Sequence, residues 1–316
     1  MTIPMIQTIN LKKYFTTPKG ELHAVDGINI SINKGETLGV VGESGCGKST
    51  LGRVILKLLE PTEGKVLFEG NDISKYNKKQ MKNMRKEMQI IFQDPFASLN
   101  PRMTVSEIIA EPIKVCKTIK NNSEILEKVF DLMNIVGLAE RFVNTYPHEL
   151  DGGRRQRIGI ARALALDSKF IVCDEPVSAL DVSIQAQILN LIMDLQDKMG
   201  LTYMFITHDL SVVKHISDNI AVMYLGQCVE LASTDELFDN PSHPYTKALL
   251  AAIPIPNLKH WKKLNVIKGE VVSPINPKPG CRFVQRCPNA MPKCSQEGTK
   301  LTEITPGHFV SCFLYK

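Results

Sequence analysis

The sequence predicts an α/β fold with a largely parallel sheet, and three observations support this prediction. After Phe170, strand-like apolar segments alternate with helical segments, as in strand–helix–strand units. Earlier in the chain, a strand, a glycine-rich loop and a helix follow one another between Thr37 and Leu59. Between these parts, residues from about 99 to 165 have helical periodicity, so we interpret them as a helical subdomain inserted into the α/β core.

The elements can be assigned in chain order. The first part of the chain is rich in predicted strands, at 27–32, 36–41, 65–68 and 88–92. In the inserted subdomain, Ser123–Val136 carries one broad apolar stripe, and Ser123 is expected to be its N-cap. The later elements are predicted strands at 170–175, 202–207 and 219–225, and predicted helices at 185–198 and 210–217.

Charge and proline content divide the chain into two predicted domains, 1–255 and 256–316. Proline-rich sequence at 253–257 and 273–280 marks the approach to the second domain. From Asn257 onward there are ten Lys or Arg residues against three Asp or Glu, whereas the remainder is close to balanced. These basic residues are scattered among prolines and cysteines without an RNA-binding or helix-turn-helix signature. We therefore expect no nucleic-acid partner.

The overall composition, with 43% hydrophobic and 22% charged residues, is that of an ordinary globular protein. No apolar run approaches the ~18–20 residues that span a bilayer, and the N-terminus lacks a signal-peptide pattern. These observations predict a cytoplasmic protein that reaches a membrane only through a partner.

The glycine-rich loop indicates phosphate chemistry. Gly42–Thr50 reads GESGCGKST and fits the pattern G-x-x-x-x-G-K-[ST]. In such a loop, backbone N–H groups and a helix N-terminus face a polyphosphate, Lys48 reaches the β and γ phosphates, and the Ser49 hydroxyl ligates Mg²⁺. We expect the following loop residues to bind ATP: Gly42, Ser44, Gly45, Cys46, Gly47, Lys48, Ser49 and Thr50.

A second motif, Phe170–Glu175, is an apolar strand that ends in two carboxylates. Asp174 is expected to hold Mg²⁺ through its water shell, and Glu175 to polarise the attacking water as general base. His208 follows a third apolar strand and is expected near the γ-phosphate. Taken alone, His208 would more often be a histidine satisfied at a strand end. The two motifs together predict ATP binding and hydrolysis.

The cysteines form two groups. Cys46, Cys116, Cys173 and Cys228 are expected to act as small hydrophobic side chains. The other four, in a C-x₅-C-x₆-C-x₁₇-C pattern, are the candidate metal ligands Cys281, Cys287, Cys294 and Cys312. A reducing cytosol disfavours disulfides, so structural Zn²⁺ and a [4Fe–4S] cluster both remain open. The absence of the short knuckles of zinc ribbons slightly favours iron–sulfur.

With these motifs in place, nearly the whole chain resembles the ATP-binding subunits of ABC transporters, and most closely the dipeptide/oligopeptide importer subfamily. Phe15 resembles the aromatic residue that stacks on adenine, although Tyr14 lies beside it. Gln93 resembles the Q-loop glutamine, which contacts Mg²⁺ and the attacking water, and His208 the switch histidine. Ser178–Asp181 resembles the D-loop. The segment Asn240–Leu250 and the cysteine tail resemble the C-terminal extension of peptide importers, which favours the [4Fe–4S] cluster.

One segment departs from the family pattern. Where the family signature reads L-S-G-G-Q, this chain has Leu150-Asp151-Gly152-Gly153-Arg154. By resemblance, Asp151, Gly152, Gly153 and Asp181 act on ATP bound to the opposite subunit. Asp151 places an acceptor-only carboxylate where the family has a hydroxyl donor, which would weaken one composite site. Alternatively, Asp151 caps the helix as serine would, with its carboxylate turned aside.

The resemblance implies the cytosolic ATPase motor of an importer for di- or oligopeptides, with ATP and Mg²⁺ as cofactors. Its expected partners are a second ATPase subunit, with a paralogue favoured over a second copy, two membrane permease subunits and, indirectly, an external substrate-binding protein. Import of nickel, glutathione or oligosaccharide is the alternative within transport. A soluble, non-transport ABC ATPase is the alternative outside it. The segment Phe96–Met103 is either the surface that contacts the permease or an ordinary linker.

Overall fold

The computed structural model describes residues 3–253 and 273–315, which form two compact units. The first unit comprises residues 3–5, 32–36 and 75–206. The second comprises residues 6–31 and 37–74 and the described residues from 207 onward. The predicted domain boundary between residues 255 and 256 lies outside the described residues.

Strands and helices account for most of both units. The strands are β1 Ile6–Thr17, β2 Gly20–Ile28, β3 Ser31–Ile32, β4 Thr37–Val41, β5 Glu63–Phe68, β6 Asn71–Asp72, β7 Met88–Ile91, β8 Phe170–Asp174, β9 Thr202–Ile206, β10 Asn219–Tyr224, β11 Gln227–Ser233, β12 Thr302–Thr305 and β13 His308–Val310. The α-helices are α1 Lys48–Ile55, α2 Lys78–Glu87, α3 Val105–Cys116, α4 Asn122–Ile135, α5 Gly152–Leu164, α6 Val182–Met199, α7 Leu210–Ile216, α8 Thr234–Asp239 and α9 Pro244–Ala251. Within the described residues, no helix has both the length and the apolar character to cross a membrane.

In the first unit, β7, β8 and β9 pair in parallel in that order. Every residue of β8 and β9 is buried, which explains why both sequences are almost continuously apolar. Helices α3, α4 and α5 pack against one another and form the helical part of this unit. A capping box between Thr104 and Glu107 starts α3.

In the second unit, β4 pairs in parallel with β10, and β10 pairs antiparallel with β11. Strand β13 joins the outer side of β11 and pairs with β12, so the C-terminal segment extends this sheet. A separate antiparallel sheet has the order β2-β1-β5-β6. The predicted α/β fold with parallel strands and a helical insertion is confirmed.

Several predicted bounds were wrong, for local reasons. The predicted strand 27–32 is the end of β2 followed by β3. Helix α4 is capped by Asn121, whose side-chain oxygen accepts from the backbone N–H of Ser123 at 3.1 Å, so Ser123 is not the N-cap. Helix α1 ends at Ile55 instead of Leu59, and Lys57 there has a positive φ of 51°.

Candidate functional site

The predicted phosphate-binding loop, in the second unit, lies between the fully buried strand β4 and helix α1. Lys48, the first residue of α1, is only 4% exposed. Its Nζ donates to the carbonyl oxygens of Gly42, at 2.8 Å, and Glu43, at 3.1 Å. The backbone N–H of Cys46 also donates to the Glu43 carbonyl, at 3.2 Å. The ammonium group is therefore held over a compact loop.

Two glycines of this loop occupy positions that no other residue could take without a shift of the backbone. Gly42 and Gly47 have φ angles of 151° and 105°, in the region that L side chains rarely adopt. A Cβ on Gly42 would lie 2.2 Å from the Met223 carbonyl oxygen, and one on Gly47 would lie 1.9 Å from that of Ala24. The glycine pattern thus reflects close approach of neighbouring backbone.

The predicted catalytic carboxylates lie in the first unit, at the end of β8. Asp174 is 1% exposed. Glu175 has a φ of 48°, an uncommon left-handed conformation for this residue type and one that concentrates at functional sites. Its Oε2 accepts from Nε2 of Gln93 at 2.9 Å, so the structure brings together two residues that are 82 positions apart.

His208, which belongs to the second unit, has an exposed side chain and stands just before helix α7. That helix is capped by Asp209, whose Oδ1 accepts from the backbone N–H of Ser211 at 2.8 Å. The cap fixes the backbone immediately after His208, while the imidazole itself stays at the surface.

The signature segment of the first unit shows how Asp151 is oriented. Asp151 is the N-cap of α5, and its Oδ1 accepts from the backbone N–H of Arg154 at 2.8 Å. Its other oxygen accepts from the Arg154 guanidinium. Of the two alternatives that the sequence leaves open, the capping geometry is therefore present in this chain. Both glycines are tightly packed, because a Cβ would lie 2.9 Å from Leu180 at Gly152 and 2.7 Å from Ile184 at Gly153.

Two family models match the sequence. The ABC transporter model matches residues 25–178, and the model of the oligopeptide/dipeptide transporter C-terminal region matches residues 229–294. The putative oligopeptide transport ATP-binding protein YkfD of Bacillus subtilis is 51% identical over 99% of this chain and 96% of its own length. The oligopeptide transport ATP-binding protein OppF of Salmonella typhimurium is 53% identical over 95% of this chain and 90% of its own length.

This chain belongs to the ABC transporter family.

Solved structures agree with that assignment. The dimeric post-hydrolysis structure of the ATP-binding cassette MJ0796, bound to ADP and Pi, has a TM-score of 0.67 and 28% identity. It covers 73% of this chain and 99% of its own. A structure of cbiO1 from Clostridium perfringens matches with the same TM-score and 28% identity, over 75% of this chain and 91% of its own. The predicted ABC ATPase fold, its ATPase class and its resemblance to the oligopeptide importer subfamily are confirmed.

The predicted D-loop, Ser178–Asp181, ends at the start of α6. Asp181 is the N-cap residue of α6 but makes no side-chain capping bond. Beside it, Val182 is 82% exposed. A single apolar side chain at the surface is common in globular proteins.

The structure distinguishes the two aromatic residues considered for adenine stacking. Tyr14 and Phe15 are adjacent in β1, so their side chains point to opposite faces of the strand. Tyr14 stacks on His23 with ring centroids 3.8 Å apart, and its hydroxyl donates to Asp26 at 2.5 Å. Phe15 has Lys13 Nζ 5.0 Å from its ring centroid. Tyr14 is thus committed to internal contacts.

The four tail cysteines of this ABC protein line one cavity, together with His243 and Phe283. Burial, followed by the proximity of the other three thiols, raises the pKa of Cys281 to about 11. Burial also raises the pKa of Cys287 and Cys312. However, across residues 3–253 and 273–315, no group of three or more Cys, His, Asp or Glu side chains has an arrangement that could hold a metal ion. The thiols are neighbours, but the predicted metal site finds no support in this geometry.

The segment around His243 is the centre of the C-terminal packing. His243 is 1% exposed, and its Nδ1 accepts from the backbone N–H of Tyr245 at 3.1 Å, which caps α9. Burial lowers the pKa of His243 to about 4, so it is neutral at pH 7. The fully buried carboxylate of Glu230 accepts from the backbone N–H groups of Ser242, at 2.7 Å, and His243, at 2.9 Å.

His308 of β13 completes this cluster. Its Nε2 lies 2.8 Å from Glu230 and its Nδ1 lies 3.1 Å from Glu236. A carboxylate oxygen thus lies within hydrogen-bond distance of each ring nitrogen. These contacts attach β13 to β11 and α8.

Sequence reasoning missed the residues that join the tail to the phosphate-binding loop. Arg286 forms a two-pronged ion pair with Glu43, inside the loop. Arg282 pairs with Asp26, which also accepts from the Tyr14 hydroxyl. Burial alone would raise the pKa of Asp26, but the Tyr14 and Arg282 contacts lower it overall. The only sequence signal for these pairs was the placement of both arginines beside cysteines.

Proposed function

We propose that this chain is the ATP-hydrolysing motor subunit of an ABC importer for oligopeptides or dipeptides. The observation that carries the proposal is sequence identity of 51% and 53%, over nearly the full length, to proteins named for oligopeptide transport. That similarity continues through the C-terminal region, where an oligopeptide/dipeptide transporter model matches. Peptides are therefore favoured over nickel, glutathione or oligosaccharide as cargo.

The phosphate-binding loop supplies the binding step. Backbone N–H groups of the loop surround the phosphates, and Gly45 and Thr50 are among the residues that supply them. The Lys48 ammonium neutralises charge on the β and γ phosphates. Ser49 and Asp174 would hold Mg²⁺, which when bound would supply positive charge against the phosphates. The aromatic ring of Phe15 stacks on adenine, because Tyr14 is already engaged with His23 and Asp26.

Glu175 is the general base that orients and polarises the attacking water. The hydrogen bond from Gln93 aims its carboxylate and links the base to the segment that follows Gln93. Gln93 also contacts Mg²⁺, and His208 stabilises charge at the γ-phosphate. In this proposal the exposed His208 and Gln93 side chains contact the nucleotide and the partner subunits once these are bound.

A second ATPase subunit is required for turnover. The helix N-terminus at Gly152 and Gly153 offers backbone donors to ATP on the opposite subunit, and Asp181 lies at the shared surface beside the exposed Val182. We favour a paralogue as this partner, since Asp151 would weaken a site that a second copy would also carry. The capped orientation of Asp151 reduces that weakening without removing the carboxylate.

Two permease subunits complete the importer, and an external substrate-binding protein delivers the peptide. The chain is cytoplasmic and is held at the inner face of the membrane by the permease. The segment Phe96–Met103 is the proposed contact, because Phe96 is 59% exposed. Its ring lies 3.7 Å from the Arg155 guanidinium, and Arg162 donates to the Ser98 carbonyl at 2.7 Å. Both arginines belong to α5, the helix that follows the signature segment. Movement of Phe96–Met103 would therefore be transmitted to α5.

The tail cysteines are proposed to hold a [4Fe–4S] cluster, with Zn²⁺ as the alternative. Four thiols around one cavity are a suitable donor set for either group. The side chains would have to turn toward a common centre, since they do not form a ligand arrangement as they stand. When bound, the group would act as a cross-link for a small segment. Anaerobic purification followed by iron, sulfide and zinc analysis tests this, with ~4 irons per chain expected for the cluster.

Glu175→Gln tests the motor function. The chain would be assembled with its partner ATPase and permease in proteoliposomes, and ATP hydrolysis and uptake of labelled peptide would be measured together. The variant is expected to retain nucleotide binding and lose hydrolysis by roughly 10²–10⁴-fold, with uptake lost in parallel. Glu140→Gln, at an exposed carboxylate, is the matched control. If the transporter took up nickel, glutathione or oligosaccharide but no peptide, the proposed cargo would be wrong.

A further inference from the structure

We propose that Arg286 is a positioning residue for the phosphate-binding loop, and that through it the cysteine-rich segment sets the nucleotide affinity of this subunit. The guanidinium donates to Glu43 with both terminal nitrogens, Nη1 to Oε2 at 2.8 Å and Nη2 to Oε1 at 3.0 Å. This two-pronged pairing fixes the direction of the carboxylate as well as its distance. Both residues belong to the second unit.

Glu43 transmits this constraint to the loop because its own backbone forms part of the phosphate cradle. Its carbonyl oxygen accepts from Lys48 Nζ at 3.1 Å and from the backbone N–H of Cys46 at 3.2 Å. Fixing the Glu43 side chain therefore fixes the carbonyl that orients the lysine. The backbone N–H of Glu43 donates to the Tyr245 hydroxyl at 2.9 Å, so the residue is held at the preceding peptide unit as well.

The ion pair between Arg286 and Glu43 is partly buried, so we expect its removal to destabilise the surrounding structure. The Arg286 side chain is 7% exposed and that of Glu43 is 24% exposed. Arg286 also donates to the Tyr224 hydroxyl at 3.3 Å. Tyr224 packs on Tyr245 and Phe283 with ring centroids 4.7 Å and 5.2 Å away. Removing either charge would leave the other in a weakly solvated aromatic environment.

The position of Arg286 depends on the chain between the first two tail cysteines. The backbone N–H of Val284 donates to the Cys281 carbonyl at 3.1 Å, and that of Arg286 donates to the Phe283 carbonyl at 3.0 Å. The backbone N–H of Cys281 in turn donates to the Cys294 carbonyl at 2.7 Å. These consecutive turns place the guanidinium at Glu43. Loosening the cysteine-rich segment would thus loosen the loop.

The inference rests on the proposed assignment of this loop as the nucleotide site, so the experiment separates the two. Binding of a fluorescent ATP analogue with Mg²⁺ would be titrated on the full chain, alongside the thermal unfolding midpoint. The variants are Arg286→Ala, Glu43→Gln and the double variant, with Arg286→Lys as the conservative change. Lys293→Ala, in the same segment but stacked on Phe313, is the matched control. Lys48→Ala checks the site itself.

Each single variant is expected to weaken nucleotide binding by roughly tenfold, and the double variant by no more than either single one, since the two residues share one interaction. In the assembled transporter, the KM for ATP rises while kcat is retained. Arg286→Lys restores part of the affinity, and Lys293→Ala leaves it unchanged. If Arg286→Ala does not fold, Glu43→Gln tests the same contact from the loop.

Two results would overturn the proposal: an unfolding midpoint that falls while nucleotide affinity stays at the wild-type value, or additive effects in the double variant. The first would make the contact merely structural, and the second would mean that the two side chains act independently. Wild-type affinity in Lys48→Ala would instead overturn the assignment of the nucleotide site. That failure is distinguishable, because it does not involve Arg286.

Discussion

The phosphate-binding loop and the C-terminal segment, 273–315, are stabilised in different ways. The loop follows a strand in which all five residues are buried, and its shape is set by glycine backbone. The C-terminal segment has the short strands β12 and β13 and two short 3₁₀ helices, and it is attached by polar and charged side chains. Arg282 and His308 are 6% and 2% exposed, and each meets a carboxylate of the second unit.

This difference predicts different sensitivities. A region that is shaped by backbone conformation fails when a Cβ is added, but it is indifferent to protonation. A region that is held by buried ion pairs tolerates small changes of volume, but it fails when one charge is removed or neutralised.

Gly47→Ala should be the most damaging single change. Its Cβ would lie 1.9 Å from the Ala24 carbonyl, so the loop backbone must move, at a cost on the order of 4 kcal/mol or more. Gly45→Ala is the matched control, because Gly45 also has a positive φ but nothing lies within 4 Å of its Cβ. It should cost about 1 kcal/mol. Urea unfolding and nucleotide titration would measure both, and equal effects would contradict the role of close approach.

His308→Leu should destabilise the protein by about 1–3 kcal/mol, because the buried carboxylate of Glu230 loses a hydrogen-bond partner. The measurement is urea unfolding at neutral pH. His215→Leu replaces an exposed histidine on α7 and should change stability little. A His308 variant as stable as the His215 variant would show that the C-terminal strand does not depend on this buried contact.

The neutral His243 should make stability depend on pH. Its pKa is lowered from 6.5 to about 4 in the folded state, so below pH 6.5 the unfolded chain binds a proton that the folded chain does not. Stability is therefore present above pH 6.5 and falls between about pH 6.5 and pH 4, by up to about 3 kcal/mol.

His243→Asn isolates that contribution, since its amide oxygen can still cap α9 while nothing titrates. The variant should show a shallower loss of stability over the same pH window than the wild type. Parallel curves would mean that His243 does not contribute to the pH dependence.

Asp151→Ser should have the smallest effect on folding, because serine also caps helices well. The unfolding free energy is expected to change by less than about 1 kcal/mol. The ATPase rate of the assembled complex should rise if the carboxylate weakens the composite site. An unchanged rate would exclude that weakening and would leave Asp151 as a helix cap alone.

The same contrast explains how much could be predicted from the sequence. The strands, the glycine loop and the carboxylates at the end of β8 follow local patterns, and they were recognisable for that reason. The N-cap of α4 was misassigned because Asn121 and Ser123 are equally suitable by residue type, and only geometry selects between them. The grouping of the tail cysteines around one cavity was predictable from their number and spacing, but a ligand arrangement was not.

The ion pairs could not have been predicted. Arg286 and Glu43 are 243 positions apart, and Arg282 and Asp26 are 256 apart. No periodicity connects residues at such distances, and a surface arginine looks the same in sequence as one that reaches a phosphate-binding loop. Only the fold brings each arginine to its carboxylate.

Contacts of Glu230 hold strand β13 against the interior of the second unit. Its carboxylate accepts from the peptide groups at Ser242 and His243 and from the His308 ring. Stepwise deletion from the C-terminus should therefore produce an abrupt loss of folded protein once residue 308 is removed, not a gradual decline. For protein engineering, trimming into β13 would remove the His308 ring that contacts the buried carboxylate of Glu230.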